Sequence, residues 1–353
     1  MAAVVVAVAG AVEAADDEVT TERRKNMNSM NSNQKYESRP EAWVPSKLLS
    51  ALATLALVCG LVFVVSSTAN AQLAARGKAF ATAKQAADAL IDATEKYDEA
   101  ALTQILGPDS SDIIHTGEPA RDAENSKAFA AQARAKMSVN LDKTKTRATM
   151  IVGEEDWPFP VPIVKAGKSW YFDTKAGKRE LLLRRVGRNE LDAIQICRGY
   201  VEAQNDYAVS KKVNGVNQYA QRIISTEGKQ DGLAWKNADG TRDGPLGEKV
   251  AAAITRGYTN RNEPYHGYFF KVLKGQGPAA PLGQLDYVIK GVMIGGFALV
   301  ASPALYRNTG VKSFMVSQDG VVYEKDLGPK TLEIFQAMDR FNPDLSWKPV
   351  KEQ

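Results

Sequence analysis

At 353 residues, 44% hydrophobic and 24% charged, the chain has an ordinary globular composition with room for two cores. Its 45 Lys and Arg against 41 Asp and Glu leave +4, a balance too mild and too evenly scattered to imply a nucleic-acid partner. Two cysteines, Cys59 and Cys197, exclude a disulfide scaffold, and with His115 and His266 they can hardly complete a zinc centre, so no metal or cofactor is expected.

The N-terminus reads as an address. Leu48 to Val65, "LLSALATLALVCGLVFVV", is free of charge; Lys35, Arg39 and Lys47 precede it and Ala69-Asn70-Ala71 follows. A basic region, an apolar core and a small-x-small exit make a secretory signal cut after Ala71, which predicts a periplasmic or secreted protein. The alternative is an uncleaved anchor over 48–65. Cys59 follows Val58 within the apolar run, the wrong setting for lipoprotein processing. Residues 1–29 carry the acidic run "EAADDE", foreign to such a signal, so translation is expected to start at Met27 or Met30. Residues 1–71 are therefore set aside from the fold.

The first domain is expected over 72–185. Thr82 is an N-cap for a helix that places Ala86, Ala89, Leu90 and Ala93 on one face. Asp98 restarts a short helix through Leu102, Ile105 and Leu106, stopped by Gly107-Pro108. A third helix is predicted over about 124–136, around Phe129. The period then changes to two: 146–153, 160–167 and 169–174 read as strands, with a turn at Ala166-Gly167-Lys168. Helices followed by a curved antiparallel sheet ending in "GKSWYFD" resemble the cone fold of ketosteroid isomerase and nuclear transport factor two, a shape that often encloses a small-molecule pocket. The stretch to inspect is Glu154-Glu155-Asp156-Trp157-Pro158-Phe159-Pro160. Buried beside Trp157, its acids can bind a cation or serve as a general base. The plainer reading is a Pro-punctuated edge, with Trp157 and Phe159 plugging the core and the acids in water. His115 lies between turn signals and reads as a loop histidine.

The second domain is expected over 186–353. Gly187 to Ala208 is the strongest helix, with Asn189 as N-cap, a seam of Leu191, Ile194, Cys197 or Arg198, and Val201, and a second stripe of Ile196, Tyr200, Ala203 and Tyr207. Cys197 reads as a small buried apolar residue. Further helices are predicted at 218–225 and 246–258, with loop between them. A strand at 265–273, a turn-rich loop, one or two strands in "YVIKGVMIGGFALVASP" and a hairpin at 308–326 follow. Asp319-Gly320 signals a two-residue turn for that hairpin, and alternation sets Val311, Ser313, Met315 and Ser317 opposite Lys312, Phe314 and Val316. A helix in "TLEIFQAMDRF" ends at Asn342-Pro343. The best polar cluster is Glu263-Pro264-Tyr265-His266-Gly267-Tyr268, where a histidine flanked by tyrosines has the makings of an acid or base. On a strand, Tyr265 and Gly267 face away from His266. The plainer reading is a strand-end histidine bonded to backbone.

"NELDAIQICRGYVEAQNDYA", "HGYFFKVL" and "FALVASPALYRNTGVKSFMVSQDGVVY" together resemble the globular domain of type IV pilin-like proteins: a helical spine, a "GY-F" strand and a "DG-VY" hairpin. Pilins carry that helix directly on a membrane segment; here a domain precedes it, so what the resemblance implies is a sheet packed on a helix. "DWPFPVPIV", "RRVGRNELDAIQICRGYVEAQNDYA", "YAQRIISTEGKQDGLAW", "PYHGYFFKVL" and "GVVYEKDLGP" resemble, over about 79–350, an exported bacterial family catalogued as domain of unknown function 2950, which implies export and one architecture but no catalytic assignment. No G-x-S-x-G or H-E-x-x-H occurs, and the prolines of "GQGPAAPLG" deny it the N–H groups of a phosphate loop. The expectation is an α+β protein that is not an enzyme, with no catalytic residue, binding an envelope protein or small ligand. The alternative is a ligand-binding, hydrolytic or isomerase-like protein with a cone pocket near Trp157. Binding candidates are Glu155, Asp156, Trp157, Tyr265, His266 and Tyr268.

Overall fold

The computed structural model describes residues 76–115, 119–246 and 264–351. The signal segment, Cys59, Glu263 and all but the first residue of the helix expected at 246–258 lie outside these residues. The fold is α+β, in two compact units that divide between Leu181 and Leu182.

In the first unit, Thr82 accepts a bond from the Gln85 N–H and starts α1 (Ala83–Lys96); Asp98 does the same for α2 (Glu99–Leu106) through Ala101. A short turn, α3 (Ser111–Ile114), precedes α4 (Pro119–Ala135), which starts five residues before the expected 124, with proline at its first position. The sheet runs β1 (Met137–Leu141), β2 (Arg147–Val152), β4 (Ile163–Ala166), β5 (Ser169–Phe172), all antiparallel, with β3 (Trp157–Pro158) on β2. β1 went unread because most of its residues are exposed and show no clean alternation. Leu90, Ile91, Phe129, Met150, Ile163, Trp170 and Phe172 fill the space between helices and sheet. The strand expected to reach Thr174 stops at Phe172.

There α5 (Thr174–Ser210) begins, thirteen residues before the expected Gly187. Asp173 caps it, accepting from the Ala176 N–H at 3.0 Å, and the Thr174 hydroxyl bonds the Leu106 carbonyl. Gly177 and Gly187 each weaken a helix by about 1 kcal/mol relative to alanine, which masked its start in the sequence. At Gly177 the reason is contact: a Cβ would lie 2.6 Å from Val161 Cγ2. Asn189 is thus mid-helix and not an N-cap.

The second unit is built on a five-stranded antiparallel sheet: β10 (Tyr268–Leu273), β15 (Ala298–Pro303), β16 (Lys312–Ser317), β17 (Val322–Asp326) and β18 (Lys348–Pro349). Two-residue ladders β6 to β9 and β11 to β14 decorate its loops: Lys212–Val213 with Val216–Asn217, Trp235–Lys236 with Arg242–Asp243, Gly275–Gln276 with Leu285–Asp286, and Val288–Ile289 with Val292–Met293. α5 packs Ala193, Ile194, Cys197, Tyr200, Ala203 and Tyr207 into this core, while Leu191 of the expected seam is 49% exposed. α6 (Thr331–Ala337) also packs on β15. Every residue of β15 is therefore buried, and on β16 Ser313 and Ser317 are as enclosed as Phe314, so the predicted two-faced alternation does not separate inside from outside. The hairpin turn is longer than two residues. Val316 pairs with Val322, the Gly320 N–H bonds the Ser317 carbonyl, and Gly320 adopts φ +75°. Asp319 organises it by accepting from the Ser317 hydroxyl and the Val321 N–H.

Residues 218–225, predicted as helix, are irregular. Their backbone is taken by tertiary partners: Tyr219 donates to Met293 and Ser225 to Ala234. At Ala220 both groups bond one buried side chain, since Gln204 Oε1 accepts its N–H and Gln204 Nε2 donates to its carbonyl, each at 2.8 Å. A backbone so engaged has nothing left for a helix.

Candidate functional site

Glu154, Glu155 and Asp156 stand in a turn after β2 and are exposed; Asp156 has φ +51°. Lys136 Nζ lies 3.0 Å from Asp156 Oδ1 and 3.8 Å from Glu154 Oε2, and the hydrogen bond it donates to Asp156 leads the effects that raise the lysine above its ordinary range. Trp157 and Phe159 are half-buried: Phe159 meets Phe129 at 5.4 Å, Trp157 at 6.3 Å and Phe172 at 6.4 Å. The aromatics close the first core and the acids remain in water. His115 is an exposed residue 3.9 Å from Glu99.

Around His266 the expected strand starts three residues late, at Tyr268. His266 and Gly267, at φ +48° and +70°, form a two-residue reverse turn closed by mutual bonds between Tyr265 and Tyr268. The turn brings together residues distant in sequence. His266 Nδ1 lies 2.5 Å from Asp192 Oδ2 on α5, and the Tyr265 ring rests 4.2 Å from the imidazole. Tyr268 goes elsewhere: buried, its hydroxyl donates to the Lys312 carbonyl at 2.7 Å, and burial, with the charge of Glu190, holds its proton far above the usual tyrosine range. Asn189 Nδ2 donates to the Thr309 carbonyl, and Glu190 Oε1 accepts from the N–H groups of Val311 and Lys312. Tyr265, His266 and Asp192 thus form one cluster, the histidine exposed and its two partners half-buried, with Tyr268 serving the sheet. Carboxylate and imidazole at this distance fix a ring orientation, as in a hydrolytic triad. The third member is missing: among the described residues no Ser, Thr or Cys is bonded to the other ring nitrogen.

A polar recess lies elsewhere in the second unit. A cleft of about 770 Å³ opens where α5 ends, lined by Tyr207, Lys211, Gln218, Tyr219, Gln221, Arg222, Gln230, Asp231 and Lys274. The irregular 218–231 segment, held by Gln204, forms most of its wall. Tyr207 donates to the Gln230 carbonyl and Lys211 Nζ to Gln230 Oε1, while Gln221 Nε2 donates to Gly291. Asp231 accepts the N–H and hydroxyl of Thr226. Burial acts to raise the Asp231 carboxyl, but the Thr226 bonds and Arg222 outweigh it and leave it below the usual range.

A family model described as "Protein of unknown function (DUF2950)" matches residues 77–350. The chain belongs to this family. No curated protein and no solved structure matches it.

Among the described residues of this DUF2950 protein, no group of three or more His, Cys, Asp or Glu side chains is placed to hold a metal, and no helix is long and apolar enough to cross a membrane. Sequence reasoning missed Asp192 and the whole cleft. Asp192 sits among ordinary surface positions of a helix, and only the fold sets it beside a histidine 74 residues away. Of the cleft, the signal present in the sequence was compositional: a polar stretch rich in Gln, Lys and Arg directly after a helix.

Proposed function

We propose that this protein is an exported, non-enzymatic binding protein of the cell envelope, which holds a polar ligand in the cleft at the end of α5. The observation that carries this reading is the cleft itself: its volume falls within the roughly 300–1,000 Å³ of small-molecule sites, and its lining converges many hydrogen-bonding groups on one space. Two of the groups weighed as acids or bases support it from the other side, because Tyr268 is committed to a backbone partner and the acids at 154–156 face water. The basic, apolar and small-residue sequence of 35–71 supports export to the periplasm or beyond. The pilin-like order of the second half is read as a scaffold, a helix and sheet that carry the cleft.

Equilibrium dialysis of the chain from Gln72 onward against an envelope extract, followed by mass spectrometry, tests the reading. Compounds are expected to be retained unchanged by the wild type and lost with a Lys211→Ala/Lys274→Ala variant. Chemical conversion of a retained compound, abolished by His266→Ala in a folded protein, would overturn it, as would retention of nothing.

A further inference from the structure

Resting on that binding reading, we infer that the ligand is an acidic oligosaccharide, rich in hydroxyls and carrying carboxylates. Small-molecule sites are ordinarily apolar with a few convergent polar groups. This cleft is the reverse, for every side chain lining it ends in a group that hydrogen-bonds. A hydrocarbon ligand would take water from those groups and offer no bonds in exchange. Gln218, Gln221 and Gln230 supply amides; Gln221 Nε2 already bonds Gly291 and Gln230 Oε1 accepts from Lys211, but each amide has a further N–H and lone pair, which suits the neighbouring hydroxyls of a sugar. Tyr219, half-buried and steadied against Phe297 at 4.8 Å, supplies a fixed aromatic ring for the apolar face of a pyranose.

Charge selects the acid. Lys211, Arg222 and Lys274 stand against a single carboxylate, Asp231. Asp231 is already engaged by Thr226 and lies 3.6 Å from Arg222 Nε, so it answers one of the three cations. Lys211 bonds the neutral Gln230 amide and lies 5.8 Å from the Trp235 ring, and among the described residues neither it nor Lys274 is ion-paired. Two positive charges are thus left for a ligand. Phosphate sites draw on helix N-termini or bidentate arginine forks. Here the arginine turns to Asp231, and the cleft adjoins the C-terminal end of α5, whose partial negative charge opposes a concentrated dianion. Carboxylates spaced along a sugar chain avoid that conflict and reach lysines from separate segments.

Calorimetric titration of the chain from Gln72 onward with trigalacturonic acid, neutral maltotriose and inorganic phosphate tests the assignment. Trigalacturonic acid is expected to bind about tenfold more tightly than maltotriose, from one or two charge-assisted bonds. That advantage should shrink with salt and be largely lost in Lys274→Ala, an exposed position whose loss leaves the fold intact. Equal affinity for the acidic and neutral sugars would overturn the assignment, as would tighter binding of phosphate or binding of none of the three. The dialysis experiment reads the underlying binding independently: retained compounds that are not acidic sugars sink this inference alone, and retention of nothing sinks both.

Discussion

Gln204→Met keeps side-chain length and removes the polar end of the group that holds residues 218–225 out of a helix. Gln204 is fully buried, and Ala220, which it bonds through both backbone groups, is 1% exposed. Methionine leaves that N–H and carbonyl unpaired and takes a donor from the Tyr200 hydroxyl. Each buried orphan costs about 1–3 kcal/mol, so the two backbone groups together cost roughly 2–6 kcal/mol, and the apolar replacement offsets about 1. A net loss of about 1–5 kcal/mol is a large share of the roughly 5–15 kcal/mol that holds a domain together. Urea denaturation measures it, and hydrogen exchange at the Ala220 amide locates it. Gln221→Met, which removes an exposed bond to Gly291 from the same segment, is the control and should cost under about 1 kcal/mol. If Gln204→Met is as stable as wild type and the Ala220 amide stays protected, tertiary capture by Gln204 is not what overrides the helical pattern.

Gly267→Ala should lower stability by roughly 2–5 kcal/mol, since alanine is disfavoured at φ +70° and its Cβ would lie 2.6 Å from Thr309 Cβ and 2.7 Å from Asn189 Nδ2. Gly228→Ala, at φ +74° with open space around it, bears only the conformational part; equal shifts in melting temperature for the two would refute the crowding. Cys197 is fully buried and burial pushes its thiol up to about 12, so in the chain from Gln72 onward a thiol reagent should label it only as the protein unfolds. Stoichiometric labelling under native conditions would contradict its place beneath the sheet.

What was legible in the sequence was what neighbours in the chain decide. Thr82 and Asp98 cap the helices that follow them because a cap needs only an N–H three residues on. The alternation of 147–152 and 163–172 announced strands because burial on one face repeats every second residue. Membership of a family without an assigned activity was legible too, from long runs spanning both halves. What the tertiary structure alone decided rests on partners far apart. β16 lost its alternation because both its faces are covered, and 218–225 gave up its helix because Gln204 takes the backbone of Ala220. Asp192 met His266, and Lys274 came to line one cleft with Lys211, through contacts that no local period encodes. Local hydrogen bonds and hydrophobic periodicity make elements, whereas side chains converging from separate segments make a site, and only packing brings those segments together.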